Sequence, residues 1–106
     1  MADNRTIVLS SCVMLSRGQI SSELGGEIVI MDLENGVYHG VQGVSAFIWN
    51  QLGKPISVRE ICDRVTGEYD VDASRCQADV ITLIQQLLDE GLVEFVHSSS
   101  SKVSVP

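Results

Sequence analysis

The sequence predicts an α+β domain in which an N-terminal three-stranded antiparallel sheet is followed by a three-helix bundle. Two observations carry this reading. The pattern is strand-like from about Ile7 to Val41, and apolar residues then recur with a helical period from Val44 onward. Three helix-start signals follow in turn, at Ser45, Ser57 and Asp72. A chain of 106 residues, 44% of them hydrophobic, suffices for one core.

Residues 27–33 and 37–41, within EIVIMDLENGVYHGV, read as two strands joined by Glu34, Asn35 and Gly36. Asn-Gly tolerates the positive φ that a tight hairpin turn demands. Upstream, CVMLS and QISSEL offer one more antiparallel strand, set off from the hairpin by Gly25 and Gly26. Ser45 is the expected cap of a first helix through Leu52, with Val44 and Trp49 as a hydrophobic staple and Gly53 and Pro55 ending it. In ISVREICDRVTG, Ser57 and Glu60 form a capping box, Ile56 and Ile61 the staple, and Gly67 stands where a left-handed C-terminal residue belongs. Asp72 caps the longest helix, ASRCQADVITLIQQLLDE, with Val71 and Cys76 paired across the cap. Gly91 followed by Leu92 announces a Schellman ending in which Leu92 meets Leu87, and LVEFV then reads as a short strand. Residues 1–5 are expected to be a loose terminus, residues 6–97 the folded domain and the Ser-rich residues 98–106 a disordered tail. Together these elements make a winged-helix-like α+β domain.

A formal net charge of −7 repels phosphate backbones and anionic headgroups alike, so neither nucleic acid nor a membrane surface is the expected partner. Cys12, Cys62 and Cys76 are odd in number and widely spaced, which fits neither a disulfide framework nor a zinc site. No run approaches the ~18 continuous apolar residues of a membrane helix, and the N-terminus lacks the apolar stretch of a signal peptide. A cytoplasmic protein with reduced thiols is expected. His39 and His97 are the only histidines, and neither has a cysteine or carboxylate at metal-ligand spacing. With no G-x-S-x-G, no phosphate loop and no H-E-x-x-H, the chain is read as a non-enzyme that uses no metal and no cofactor.

The longest helix carries more apolar surface than one core requires. On a wheel of about 100° per residue, Cys76, Val80, Leu83 and Leu87 form a stripe that packs the helix on the other two. Gln77, Ile81, Ile84 and Leu88 extend the apolar arc by roughly another 100°. Either the sheet covers this flank or it lines a groove that a partner roofs. VYHGV has no Lys, Glu or Pro to blunt a sheet edge, and Gly40 leaves room for another backbone. An open edge beside an apolar helix flank is the pattern of peptide capture by strand addition, with the guest resting on Ile81, Gln85 and Leu88. The competing account is a strand paired on both sides, with Gly40 a bulge. Asp79, Asp89 and Glu90 would steer a basic guest.

Two segments, GEIVIMDLENGVYHGVQGVSAFIWNQL and YDVDASRCQADVITLIQQLLDEGLVE, resemble the PqqD-like family, small domains that recognise leader peptides of ribosomally synthesised, post-translationally modified peptides. The resemblance spans about residues 24–96 and rests on the acidic hairpin turn, Tyr38 in the third strand, the Ile48-Trp49 helix and the closing helix. It is strongest to the stand-alone leader-binding proteins of lasso-peptide gene clusters. It implies a non-catalytic adaptor that takes the leader as a further strand on Val37, Tyr38, His39, Gly40 and Val41, against Gln77, Ile81, Ile84, Gln85 and Leu88. It also implies a precursor leader peptide, a cysteine-protease-type leader peptidase and a ring-forming cyclase as partners. One departure is Val41-Gln42, where members commonly carry Leu-Asn; Gln42 caps poorly, which moves the expected start of the first helix to Ser45. The alternative function is a winged-helix DNA-binding transcriptional regulator, but its recognition helix would offer Arg75 alone among several acids. A third reading has the edge pairing with its own copy.

Overall fold

The computed structural model describes residues 6–17 and 19–96. The expected loose terminus, His97 and the expected Ser-rich tail lie outside the described residues. The elements are β1 (Cys12–Leu15), β2 (Gln19–Leu24), β3 (Glu27–Asp32), β4 (Val37–Gln42), α1 (Val44–Gln51), β5 (Ile56–Ser57), α2 (Val58–Glu68), α3 (Ala73–Asp89) and β6 (Val93–Phe95). A three-stranded antiparallel meander, β2-β3-β4, and three helices reproduce the expected class. A second small sheet joins them, ordered β5-β1-β6, in which β1 pairs antiparallel with both neighbours. CVML therefore belongs to a different sheet from QISSEL. Val13 at its centre is fully buried, opposite Ile56 on one side and Phe95 on the other.

The β2–β3 turn is Gly25-Gly26, with φ of 60° and 87°, as a two-residue hairpin prefers. The β3–β4 loop is longer than its Asn-Gly signal suggests. Asp32 pairs with Val37, leaving the four residues 33–36 between them. Asp32 is the organiser: its carboxylate accepts the N–H groups of Glu34 (3.0 Å) and Asn35 (3.3 Å) and the Asn35 side-chain amide (2.8 Å). These bonds, the Asn35 side chain first, hold the Asp32 carboxyl below its ordinary range. Gly36, at φ 66°, closes the loop by donating to the Asp32 carbonyl (2.8 Å), while no non-glycine among the described residues has positive φ.

Helix α1 starts at Val44, one residue ahead of the expected Ser45 cap, and its N-cap is Gly43 without a side-chain bond. The chain must turn from β4 into α1 at a single residue, and Gly43 does so at φ 63°, ψ −134°, a conformation that a side chain resists. Ser57 caps α2 as expected, accepting the Glu60 N–H at 3.1 Å, with Ile56 and Ile61 both buried. The next unpaired helical donors, on Val58 and Arg59, reach the Ser11 and Leu9 carbonyls at 2.9 Å. Gly67 does not end the helix, which continues to Glu68 and stops at the extended Tyr69. The Tyr69 ring packs edge-on against Phe47 at 5.5 Å, so a tertiary contact rather than the glycine sets the stop. Asp72 caps α3 through the Arg75 N–H (3.0 Å). The expected Schellman ending is present: Leu92 donates to Leu87 (2.9 Å) and Gly91 to Leu88 (3.0 Å).

Apart from β2, whose apolar side chains Ile20 and Leu24 stay exposed, these elements share one core. Ile30, Leu52, Ile61, Ile84 and Leu92 are its largest fully buried side chains, each worth about 1.5–3 kcal/mol of transfer free energy. They come from β3, the end of α1, α2, α3 and the approach to β6, so the meander is anchored to the helices through β3.

Candidate peptide-binding edge

Strand β4 is one edge of its sheet, with β2 the other, and pairs with β3 alone among the described residues. Half of its main-chain donors and acceptors consequently face outward, a template for one further strand. The register sorts its side chains. Val37, His39 and Val41 oppose Asp32, Ile30 and Ile28 on the core-facing side. Tyr38, Gly40 and Gln42 oppose Met31, Val29 and Glu27 on the outer side, where Tyr38 is 65% exposed.

Along the core-facing side runs a groove of about 290 Å³. His39, Gly40, Val41 and Ser45 form one wall, and Leu83, Gln86, Leu87 and Glu90 of α3 form the other. His39 Nδ1 lies 3.4 Å from Glu90 Oε1, so the imidazole and the carboxylate meet between the two walls. Toward the N-terminal half of α3 a second hollow of about 290 Å³ is lined by Val44, Ile48, Val65, Val71, Cys76 and Val80, with Arg75 and Asp79. Ser45 and Leu83 line both, so the two hollows adjoin as one trough along α3, of which only the first is walled by β4. A larger cleft of about 460 Å³ lies between the end of α1 and α2, but it is lined by Asn50, Lys54, Glu60 and Arg64 and shares no residue with β4. Its Arg64 is already held by Gln51 (2.6 Å) and Glu60 (2.9 Å).

The structure places Val37, Tyr38, His39, Gly40 and Val41 together on the open edge, and sets none of the five expected α3 residues along this groove. Ile84 and Leu88 are core residues at 0% and 3% exposure and do not line the groove. Gln77, Ile81 and Gln85 do not line it either; Gln85 Oε1 instead accepts the Ile7 N–H at 2.9 Å. Leu83, assigned by the wheel to the core, is the half-buried residue that both hollows share. The buried residues of α3, Cys76, Val80, Ile84, Leu87 and Leu88, occupy the middle of the apolar arc, and the groove lies on the flank opposite Ile81. Periodicity marks a stripe and its two flanks; which flank meets the sheet depends on how strand and helix cross. Gln86 lines the groove without having been singled out, since its polar character in the helical pattern gives no signal, whereas Glu90 was expected only as a steering charge.

Of the acids expected to steer a guest, Asp79 and Glu90 line the trough, whereas Asp89 receives the Gln85 amide at 3.2 Å. Burial pushes the Cys62 thiol up to about 11 and raises Cys76 as well, so both stay protonated at neutral pH and pack as apolar groups. Among the described residues no three His, Cys, Asp or Glu side chains are grouped to hold a metal ion, and no helix is long and apolar enough to cross a membrane.

Known proteins share this fold. The family described as Coenzyme PQQ synthesis protein D (PqqD) matches residues 27–93, which run from β3 to the start of β6. The solved structure of TbiB1 in complex with the TbiA(beta) leader peptide superposes with a TM-score of 0.70 and 30% identity, over 76% of this chain and 94% of that one. The solved lasso peptide synthetase B1 complexed with the leader peptide has the same fold, with a TM-score of 0.70 and 21% identity, over 77% of this chain and 96% of that one. No curated protein matches the chain. With more than half of its residues matched by the family and near-complete coverage of a relative at 30% identity, the chain belongs to the PqqD family.

Proposed function

We propose that this protein is a non-catalytic adaptor that binds the leader of a precursor peptide and presents it to processing enzymes in lasso-type biosynthesis. The leader adds as a strand to β4, and every second side chain enters the trough between β4 and Leu83, Gln86 and Glu90 of α3. The observation that carries this reading is the open β4 edge beside that trough, in a chain 30% identical to one solved with a leader peptide bound. Main-chain bonds along the edge supply affinity that depends little on sequence, and the trough supplies selection.

The adaptor's benefit is effective concentration: a substrate tethered near an active site meets it as in an intramolecular encounter. The enzymes served are a leader peptidase of the cysteine-protease type and then a ring-forming cyclase, and the work takes place in the cytoplasm. The test is an amide NMR titration with the leader of the precursor encoded beside the gene, repeated with duplex DNA at equal salt. Peptide-induced shifts on Val37, Tyr38, His39, Gly40 and Val41, and on Leu83, Gln86 and Glu90, are expected, with none from DNA. A silent β4, or shifts at Arg75 and its neighbours with DNA alone, would overturn the proposal.

A further inference from the structure

Resting on the reading of β4 as the receiving edge, we propose that the guest strand carries a lysine or arginine opposite Gly40 on the outer face of the sheet, and that Glu27 selects it. Glu27 and Gly40 share that outer face: Glu27 pairs with Gln42, and Gly40 with Val29, so the two are diagonal neighbours across β3 and β4. Side chains on such a diagonal are within reach of one another when one is long. The Glu27 side chain uses that reach. A Cβ built on Gly40 would lie 2.7 Å from Glu27 Oε2 and 3.7 Å from its Cδ. The space over the edge strand that another residue's side chain would fill therefore holds a carboxylate.

That carboxylate is uncommitted. Among the described residues no ion pair or side-chain hydrogen bond holds the Glu27 carboxylate. Residues 19–42, the whole of this sheet, include Glu23, Glu27, Asp32 and Glu34 but no Lys or Arg, so a counter-charge has to arrive with the guest. An added strand runs roughly 5 Å beyond β4. A lysine or arginine at its position opposite Gly40 meets no side chain in between and can lay its charged end over the glycine onto Glu27. On the other face Glu90 already has His39 beside it, which leaves the outer face as the place for the added charge.

Panning displayed random peptides against the wild-type chain, Glu27→Gln and Glu27→Lys tests this. The wild type is expected to enrich apolar residues at alternate positions together with Lys or Arg at one fixed position on the opposite phase. Glu27→Gln should keep the apolar pattern and lose the basic position, and Glu27→Lys should exchange it for Asp or Glu. For a synthetic copy of the best wild-type peptide, Glu27→Gln should weaken binding by about 2- to 5-fold at low salt, as for an exposed ion pair, and the difference should shrink as salt rises. A basic position that persists in Glu27→Gln, or is absent from the wild type while the apolar alternation is present, overturns this inference and leaves the adaptor function standing. Folded protein that enriches nothing, or peptides whose amide shifts avoid β4, overturn the function and the inference together.

Discussion

On one flank of the α3 core stripe stand Leu83, Gln86 and Glu90, facing β4 across the groove; on the other stand Gln77, Ile81 and Gln85, where Gln85 takes up the Ile7 N–H. Both flanks mix one aliphatic residue with glutamine, and only the charge of Glu90 tells their compositions apart. The difference lies in what stands opposite. One flank meets an edge strand with unpaired main-chain groups, and the other meets a segment whose N–H is already satisfied. A peptide site arises where an apolar wall and open main-chain groups face the same space, because the guest must bury side chains and pair its backbone together. An apolar flank alone gives only packing.

That contrast can be broken at its centre first. Ile84→Ala removes a fully buried side chain between the flanks and should cost about 2–5 kcal/mol of stability in denaturant unfolding. Any loss of leader binding should then follow the unfolded fraction. Leu83→Ala is expected to do the reverse: calorimetry should show leader binding weakened by about 1–3 kcal/mol while the unfolding midpoint moves little. Equal effects of the two substitutions on stability and binding would erase the distinction between core and groove.

The β4 wall can be loosened without touching α3. Because the folded pKa of Asp32 is depressed, its carboxylate contributes stability above the unfolded value near 3.8, and that contribution is lost as pH falls through the lower folded value. Amide exchange in β3 and β4 should accelerate in that acid range, and Asp32→Asn should remove the pH dependence while leaving the hairpin weaker at neutral pH. The smallest expected effect is on the far flank. Ile81→Ala should leave leader affinity within about 0.5 kcal/mol of the wild type, as for substitutions away from a contact. A loss as large as that from Leu83→Ala would return the guest to the flank that the sequence pattern favours.

Local chemistry was legible wherever a few neighbouring residues decide the outcome. Ser57 and Asp72 cap their helices, Gly91 and Leu92 end α3, and β4 begins after an Asn-Gly turn, because each of these depends on side chains within about one helical turn or one hairpin. Gly67 and Ser45 misled for the complementary reason: a tertiary contact at Tyr69 carries α2 past its glycine, and the sharp corner out of β4 is made by Gly43. LVEFV was legible as a strand, but the second sheet was out of reach because β5 has only two residues and β1 pairs with partners more than 40 residues away.

By itself, then, the sequence determined the three helices, the caps at Ser57 and Asp72, the end of α3, the hairpin and the absence of any gatekeeper charge on residues 37–41, all properties of short stretches of chain. Only the tertiary structure decided that β4 is an edge, that Leu83 rather than Ile81 looks onto it, and that Glu27 reaches over Gly40. Those facts depend on the register between strands and on how α3 crosses the sheet. Both are set by the way buried side chains from distant segments fit together, which no local pattern records.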